Sequence, residues 1–171
     1  MAPEAHVSAN LVLAANGATT IGGRSAPLSS GGDRVRFHTL RTEADLIVIG
    51  GRTARTEPYE KTPCELVVIS RGHDLGRAAA NPVARLSHLP ISELLPILRR
   101  DGHRVLIEAG ASLLSEAIQA GEVDQLFITR TARLGDGDYF AEELITKNFE
   151  LIEEERSKED RFQIWQLRPT H

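Results

Sequence analysis

Short apolar runs that end in a glycine-containing break, each followed by a helical pattern, constrain the fold of this chain most strongly. The three clearest runs are Leu46 to Ile49, Leu66 to Ile69 and Val105 to Ile107. They are rich in β-branched residues and apolar at every position, as strands are when helices cover both faces of a parallel sheet. This alternation of strands and helices predicts an α/β fold with a largely parallel sheet.

The polar segment before the first of these strands predicts an amphipathic helix. Phe37, Leu40 and Ala44 recur at helical spacing, and Asp33 is a residue type that caps helix N-termini. We therefore expect a helix from Asp33 to Thr42, capped by Asp33, whose apolar stripe packs on the sheet.

Two later segments repeat the helical pattern. The first is Ile91 to Leu98, with Ser92 as the expected cap and Gly102 as the stop. The second is Leu114 to Ile118, which Gly121 is expected to end.

Further strands are expected near both ends of the chain. Val7 to Ala15 is apolar and precedes Asn16-Gly17, a dipeptide suited to a tight turn. Phe149 to Ile152 and Phe162 to Leu167 predict a terminal strand pair. The charged run from Glu153 to Arg161 would then be the exposed connection between these two strands.

Composition narrows the class of protein. A length of 171 residues predicts a single domain over residues 1–171, and a net charge of −4 argues against a nucleic-acid-binding surface. The single cysteine, Cys64, fits a reducing compartment, and the six histidines have no metal-binding spacing. No apolar stretch approaches the roughly 20 residues of a membrane span. We expect a cytoplasmic protein without a metal, a nucleic-acid partner or a membrane anchor.

Two of the predicted strands run into glycine where a helix should begin. These corners are Gly50-Gly51-Arg52-Thr53 and Glu108-Ala109-Gly110-Ala111-Ser112. Helix N-termini at the carboxyl ends of parallel strands offer free N–H groups to phosphates, and glycine lets the backbone approach the ligand. One corner alone is often only a turn, but a pair predicts a site for a pyrophosphate. Neither is a Rossmann fingerprint or a P-loop.

The strand that ends at Ile69 is followed by Ser70-Arg71-Gly72. A guanidinium beside a hydroxyl suits the 2′-phosphate of NADP, although a solvated arginine is an equally good interpretation.

Glu108 follows an apolar strand directly, so we expect burial to raise its pKa and a ligand to use it as an acceptor or acid. The alternative is that Glu108 caps the helix that follows.

Taken together, these segments resemble the reductase domain of bacterial riboflavin biosynthesis, a branch of the dihydrofolate reductase-like superfamily. The resemblance spans the chain from about Val7 to about Asp138. It is carried by Ser8-Ala9-Asn10, Asn16-Gly17, Leu28-Ser29-Ser30, Leu40-Arg41, Ala44 to Arg55, Val105 to Leu113 and Val123 to Leu126.

The resemblance implies a three-layer fold, with a mixed, mostly parallel sheet between helices on both faces and an antiparallel C-terminal edge. It implies a homodimer with NADPH as the cofactor. The implied activity is reduction of a phosphorylated ribosylaminopyrimidine, in which hydride reaches the ribosyl C1′ and opens the sugar to a ribityl chain.

The resemblance and the strand-end motifs together give the expected site. Asn16, Arg41 and Glu108 are expected to face the substrate, with Asn16 and Glu108 at the reacting atoms. The residues expected along the cofactor are Ser25, Pro27, Gly50, Gly51, Thr53, Thr56, Ser70, Arg71, Gly110, Ala111, Ser112, Leu113 and Leu114.

The chain departs from the family pattern in places that affect the substrate. Asn16 stands where the family usually has aspartate, and Thr56-Glu57-Pro58 stands where paired acids often precede proline. The arginine expected for substrate phosphate is not evident before Cys64. Two alternatives therefore stay open. One is a dihydrofolate reductase-type enzyme, disfavoured because the helix from Asp33 to Thr42 shows no convincing acid for a pterin on its apolar face. The other is a noncatalytic nucleotide-binding protein.

Overall fold

The computed structural model describes residues 6–170, which fold around one eight-stranded sheet with the strand order β4-β3-β2-β5-β1-β6-β8-β7. The strands are β1 (His6–Leu13), β2 (Leu46–Gly50), β3 (Glu65–Ile69), β4 (Ala84–Ser87), β5 (Arg104–Ile107), β6 (Gln125–Thr131), β7 (Phe149–Arg156) and β8 (Asp160–Leu167). The α-helices are α1 (Gly31–Glu43), α2 (Gly51–Thr56), α3 (Ile91–Arg100), α4 (Ala111–Gln119) and α5 (Glu143–Asn148).

The sheet is parallel from β4 to β6 and antiparallel at its C-terminal edge, where β8 pairs with β6 and β7 pairs with β8. Two apolar layers cover it. One contains α3, α4 and α5 against alternate residues of the strands, and the other contains α1 and α2 against the remaining ones. The predicted α/β fold, with a mostly parallel sheet between helices, is confirmed.

The cap of α1 differs from the prediction. Ser30 is the N-cap, and its side chain accepts a hydrogen bond from the backbone N–H of Asp33. Asp33 lies inside the first turn with its side chain buried. Leu40 packs on the sheet as expected, whereas Phe37 is only partly buried.

The cap of α3 also differs. Pro90 holds the N-cap position, so Ser92 lies inside the helix. A proline just before the first turn is well tolerated because its missing N–H has no intrahelical acceptor there. Gly102 and Gly121 follow α3 and α4 with positive φ angles of 81° and 74°, which is the conformation of a helix-ending glycine.

The C-terminal pair is longer than predicted. Glu153 to Arg156 continue β7 and Asp160 begins β8, so only residues 157–159 connect the two strands. Charged residues do occur in an edge strand that faces solvent. The short strand β4 and the helix α5 were not predicted, because neither carries a strong apolar period.

The strand order opens a crevice between β2 and β5. The chain leaves β2 toward β3 on one side and leaves β5 toward β6 on the other, so the two following helices diverge. Ligands of open α/β sheets bind at such a point, beyond the carboxyl ends of the strands. No helix within residues 6–170 is long and apolar enough to cross a membrane.

Candidate functional site

A cavity of about 520 Å³ lies at the carboxyl ends of β2 and β5. Its walls are the α1 face of β1, one side of α1, the first turns of α2 and α4, and the segment of residues 19–29 that precedes α1. The volume is in the range of cavities that hold small molecules.

The two glycine corners meet at this cavity. Gly50 and Gly110 are the N-caps of α2 and α4, and neither helix has a side-chain cap on its first-turn amides. A Cβ at Gly50 would lie 3.5 Å from Leu113 Cδ2, whereas a Cβ at Gly110 would meet nothing within 4 Å. Both corners therefore present helix N-termini to one open space, as an anion such as a pyrophosphate requires.

Arg41 and Glu108 form a two-pronged ion pair on the cavity wall. Arg41 Nε and Nη2 donate to Glu108 Oε1 and Oε2, each at 2.8 Å. The side chains are 11% and 2% exposed. Burial alone would lower the pKa of Arg41, but the hydrogen bond and the charge of Glu108 raise that pKa above its usual value. The pair brings two predicted substrate-side residues together and gives Glu108 a partner that the sequence did not reveal.

Tyr59 completes this arrangement. Its hydroxyl donates to Glu108 Oε2 at 2.5 Å, and its ring lies 5.2 Å from the Arg41 guanidinium carbon, which also sits 4.2 Å from the Phe37 ring centroid. Burial, and then the charge of Glu108, raise the pKa of Tyr59 well above its usual value. The phenol therefore remains a proton-bearing donor at ordinary pH, and Glu108 does not cap α4.

Asp33 lies on the cavity wall nearest β6. It is 3% exposed, and its carboxylate accepts hydrogen bonds from Ser29 Oγ at 2.5 Å and Thr129 Oγ1 at 2.6 Å. An acid for a pterin was sought on the apolar face of α1, where none lies. The acid is at the start of the helix, outside the apolar stripe.

Asn10 contributes a polar atom from the middle of β1. Its side-chain Oδ1 is buried and has no hydrogen-bond partner among residues 6–170, and the residue lines the cavity. A buried amide oxygen without a partner costs free energy, so its position favours a ligand with a donor at this point.

Ten of the predicted site residues line the cavity. They are Ser25, Arg41, Gly50, Thr53, Thr56, Glu108, Gly110, Ala111, Ser112 and Leu113. Ser25 is held by Glu57, whose Oε1 accepts from the Ser25 N–H at 2.8 Å and from its hydroxyl at 3.2 Å. This contact fastens the segment of residues 19–29 to the end of α2.

Asn16, expected at the substrate, does not line the cavity. Its Nδ2 donates to the Gly135 carbonyl at 2.8 Å, and its Oδ1 accepts from the N–H groups of Ala18 and Gly135. The amide ties two loops together. Gly17 takes a φ of 81°, so the tight turn itself is confirmed.

Five cofactor-side residues also lie outside the lining. Pro27 turns its carbonyl to Arg133, and Leu114 is a core residue. Gly51 is buried, and a Cβ there would lie 2.8 Å from Ser70 Oγ. Ser70 and Arg71 lie behind this turn, with Arg71 exposed to solvent.

Several cavity residues lie outside any sequence motif and were not predicted. Asn10 interrupts an apolar strand, which is the one available signal for it. Glu57 and Tyr59 follow α2 in an irregular segment, and Arg34 and His38 look like ordinary polar positions of α1. Among residues 6–170 there is no cluster of three or more potential metal ligands.

Solved structures share this architecture. A pyrimidine reductase-like protein from Corynebacterium diphtheriae matches with a TM-score of 0.77 and 19% identity, over 98% of this chain and 93% of that one. A dihydrofolate reductase from Enterococcus faecalis, complexed with NADP(H), matches with a TM-score of 0.73 and 16% identity, over 99% and 100% of the chains. The fold is the dihydrofolate reductase-like fold, as predicted.

The family follows from the sequence itself. The model of the RibD C-terminal domain matches residues 6–160, and the chain belongs to that family. A diaminohydroxyphosphoribosylaminopyrimidine deaminase/5-amino-6-(5-phosphoribosylamino)uracil reductase from Thermotoga maritima shares the fold with a TM-score of 0.77 and 15% identity. The match covers 96% of this chain, which spans 57% of the Thermotoga chain. No curated protein sequence matches.

Proposed function

We propose that this chain is an NADPH-dependent reductase whose substrate is a phosphorylated ribosylaminopyrimidine or a related heterocycle. The observation that carries the proposal is the meeting of two uncapped helix N-termini, at Gly50 and Gly110, in one cavity. The name of the Thermotoga relative, a 5-amino-6-(5-phosphoribosylamino)uracil reductase, supports this reaction class.

The residues present fit a dinucleotide. The amides of Ala111 to Leu113 would hold the pyrophosphate, and the hydroxyls of Thr53 and Ser112 add donors beside it. The space at Gly110 is open, so the backbone is accessible to a phosphate there.

Ser70, Arg55 and Arg71, behind the first turn of α2, suit the extra phosphate of NADP. A Cβ at Gly51 would lie 2.8 Å from Ser70 Oγ and 3.2 Å from Arg55 Nη1, so this hydroxyl and guanidinium approach the same point. Arg71 follows Ser70 in the chain and is exposed. Two arginines and a hydroxyl are suitable donors for a phosphate monoester, which favours NADPH over NADH.

The chemistry that a bound nicotinamide supplies is hydride transfer to an electrophilic carbon of the substrate. The chain positions the substrate for it. Glu108 accepts three hydrogen bonds from Arg41 and Tyr59, which leaves one acceptor position on Oε1 of the four that a carboxylate offers. Asn10 Oδ1 is a second acceptor. Both favour a substrate that carries N–H or O–H donors.

The segment of residues 19–29 forms one side of the cavity. Its attachment to Glu57 through Ser25 holds it over α2. Because hydride transfer depends on holding donor and acceptor carbons together, we expect these positioning contacts to matter more than any single acid or base.

Two measurements test the proposal. Fluorescence titration should show saturable NADPH binding, tighter than NADH binding. When 5-amino-6-(5-phosphoribosylamino)uracil is then added, the bound NADPH should be oxidised. Each NADPH should reduce one molecule of the riboside to its ribityl product. Binding without oxidation of any heterocycle would favour the noncatalytic nucleotide-binding alternative, and absence of binding would contradict both.

Asp33 favours a second candidate, reduction of dihydrofolate. Folate enzymes place a lone acid on an early helix facing the pterin, and Asp33 on α1 occupies such a place with Thr129 as its partner. NADPH oxidation with dihydrofolate, compared in wild type and Asp33→Asn, distinguishes the candidates. Turnover that depends on Asp33 and exceeds turnover of the aminouracil would establish the folate reaction.

The resemblance also predicts a homodimer. Two large apolar residues of the edge strand β7 are exposed to solvent: Leu151 is 40% exposed and Ile152 is 56% exposed. We propose this edge as the contact between two copies, which analytical ultracentrifugation of wild type and Ile152→Lys would test.

A further inference from the structure

We propose that a second cavity, at the tip of the β7–β8 hairpin, binds the phosphate chain of a polyphosphate ligand. This cavity has a volume of about 450 Å³, which is large enough for a small molecule. It lies at the carboxyl ends of β1 and β6, against residues 156–161 of the hairpin. No residue lines both cavities, so this site is independent of the proposed reductase function.

Three arginines lie side by side in this cavity. Arg130 on β6 is directly opposite Arg161 on β8, and Arg161 is directly opposite Arg156 on β7. All three line the second cavity. Side chains directly opposite each other on neighbouring strands share one face of the sheet, and like charges in such positions are destabilising. An anion that binds between these arginines therefore relieves their repulsion.

The neighbouring acids neutralise the three arginines only in part. Arg130 is paired with Glu142, and Arg156 Nε donates to Glu154 Oε1 at 3.0 Å. The one carboxylate within 4.0 Å of Arg161 among residues 6–170 is that of Glu154, at 3.8 Å, which is longer than a hydrogen bond. The Arg161 guanidinium and the two terminal nitrogens of Arg156 therefore have donors available for a ligand.

The other charged residues leave the second cavity positive. Lys158, in the connection between β7 and β8, adds an exposed cation. Two acids also line the cavity: Glu159, which is 3.9 Å from Arg133, and Asp160, whose carboxylate oxygens are buried. Because Asp160 precedes Arg161 along β8, its side chain points to the opposite face of the sheet. Four basic and two acidic lining residues give a net charge of +2, in a chain whose net charge is −4.

The spacing of the arginines favours a chain of phosphates over a single one. Neighbouring strands are about 4.8 Å apart, so the backbones at Arg130 and Arg156 are separated by about 10 Å. A guanidinium binds two oxygens of a phosphate at once. A linear triphosphate presents such oxygens along its whole length and can meet all three arginines. Nucleoside triphosphates and free inorganic polyphosphate share this chemistry.

Calorimetric titration of the full chain with tripolyphosphate, inorganic phosphate and ATP tests the proposal. We expect tripolyphosphate to bind at least about tenfold more tightly than phosphate, because it makes more charge-assisted hydrogen bonds. Arg161→Gln and Arg156→Gln should each weaken tripolyphosphate binding by at least about fivefold. If ATP binds more tightly than tripolyphosphate and loses affinity in Arg161→Gln, the ligand is a nucleotide. An ATP affinity no higher than that of tripolyphosphate identifies the phosphate chain itself.

Two control variants separate this site from other sources of binding. Arg100→Gln removes the same charge from an exposed position on α3, outside both cavities, and should bind tripolyphosphate as wild type does. Gly110→Val fills the open corner of the first cavity and should retain the binding that Arg161→Gln weakens.

Three results would overturn the proposal. The first is that wild type does not bind tripolyphosphate. The second is equal weakening in Arg100→Gln and Arg161→Gln, which would show attraction to net charge alone. The third is loss of binding in Gly110→Val, which would assign the phosphates to the first cavity. NADPH titration of wild type, carried out separately, tests the proposed reductase function and does not affect these outcomes.

Discussion

Arg41 on α1 and Glu108 at the end of β5 are joined by two parallel hydrogen bonds of 2.8 Å, although they are 67 residues apart in sequence. A guanidinium and a carboxylate in this orientation fix each other's planes. Because Tyr59 donates to the same carboxylate, the wall of the cavity next to β5 is a preorganised polar surface.

Removing one partner of this pair should destabilise the fold. In Glu108→Gln the Arg41 charge stays buried without its counter-charge, and we expect a loss of about 3 kcal/mol in the free energy of unfolding. Urea denaturation measures this loss in the free energy of unfolding. The control is Glu65→Gln, which breaks the exposed pair with Arg85 at 3.8 Å and should cost less than about 1 kcal/mol. Equal losses in the two variants would contradict the role of the buried pair.

The Tyr59 hydroxyl gives a narrower test. Tyr59→Phe keeps the ring on Arg41 and removes only the donor to Glu108, so we expect a loss of about 1 to 2 kcal/mol in unfolding free energy. The KM for substrate should rise because Glu108 is less firmly held. Tyr139→Phe, at a residue 61% exposed, should change neither quantity. A silent Tyr59→Phe would show that the hydroxyl contact is unimportant.

The open corner at Gly110 predicts a cofactor effect without a folding effect. A Cβ at Gly110 meets no atom within 4 Å and its φ is −66°, so Gly110→Val should fold normally. Its side chain would occupy the space of the pyrophosphate, and NADPH should bind at least about tenfold more weakly. Gly31→Val places the same side chain in open space outside the cavity and should bind NADPH as wild type does.

Acid stability should depend on Asp45. Hydrogen bonds from the side chain and backbone of Arg104 lower the pKa of Asp45 to about 2, from an ordinary 3.8. Because the folded-state pKa is the lower one, the stabilisation is complete above about pH 4 and is lost as pH falls toward 2. Asp45→Asn should therefore be less stable than wild type at pH 6, and the difference should shrink near pH 2. A difference that is the same at both pH values would contradict this account.

Features that one segment determines by itself were predictable from the sequence. Strand β5 is apolar at Val105 to Ile107, and Gly110 is the N-cap of the next helix, because local pattern and backbone freedom suffice to specify both. The two corners lie at one crevice because parallel neighbouring strands end on the same side of the sheet.

Contacts between side chains that are far apart in the sequence were not predictable. Asp33 and Thr129 are 96 residues apart, and Asn16 meets Gly135 across 119 residues. A single sequence contains no signal for such pairs. For this reason Asn16 was expected at the substrate although it ties two loops, and Asp33 was expected to cap a helix although it faces the cavity.

A crystal structure of the chain with NADP⁺ tests the central claim most directly. We expect the diphosphate to lie within hydrogen-bond distance of the first-turn amides of both α2 and α4, between Gly50 and Gly110. A diphosphate bound elsewhere, or contacts to only one of these helices, would contradict it.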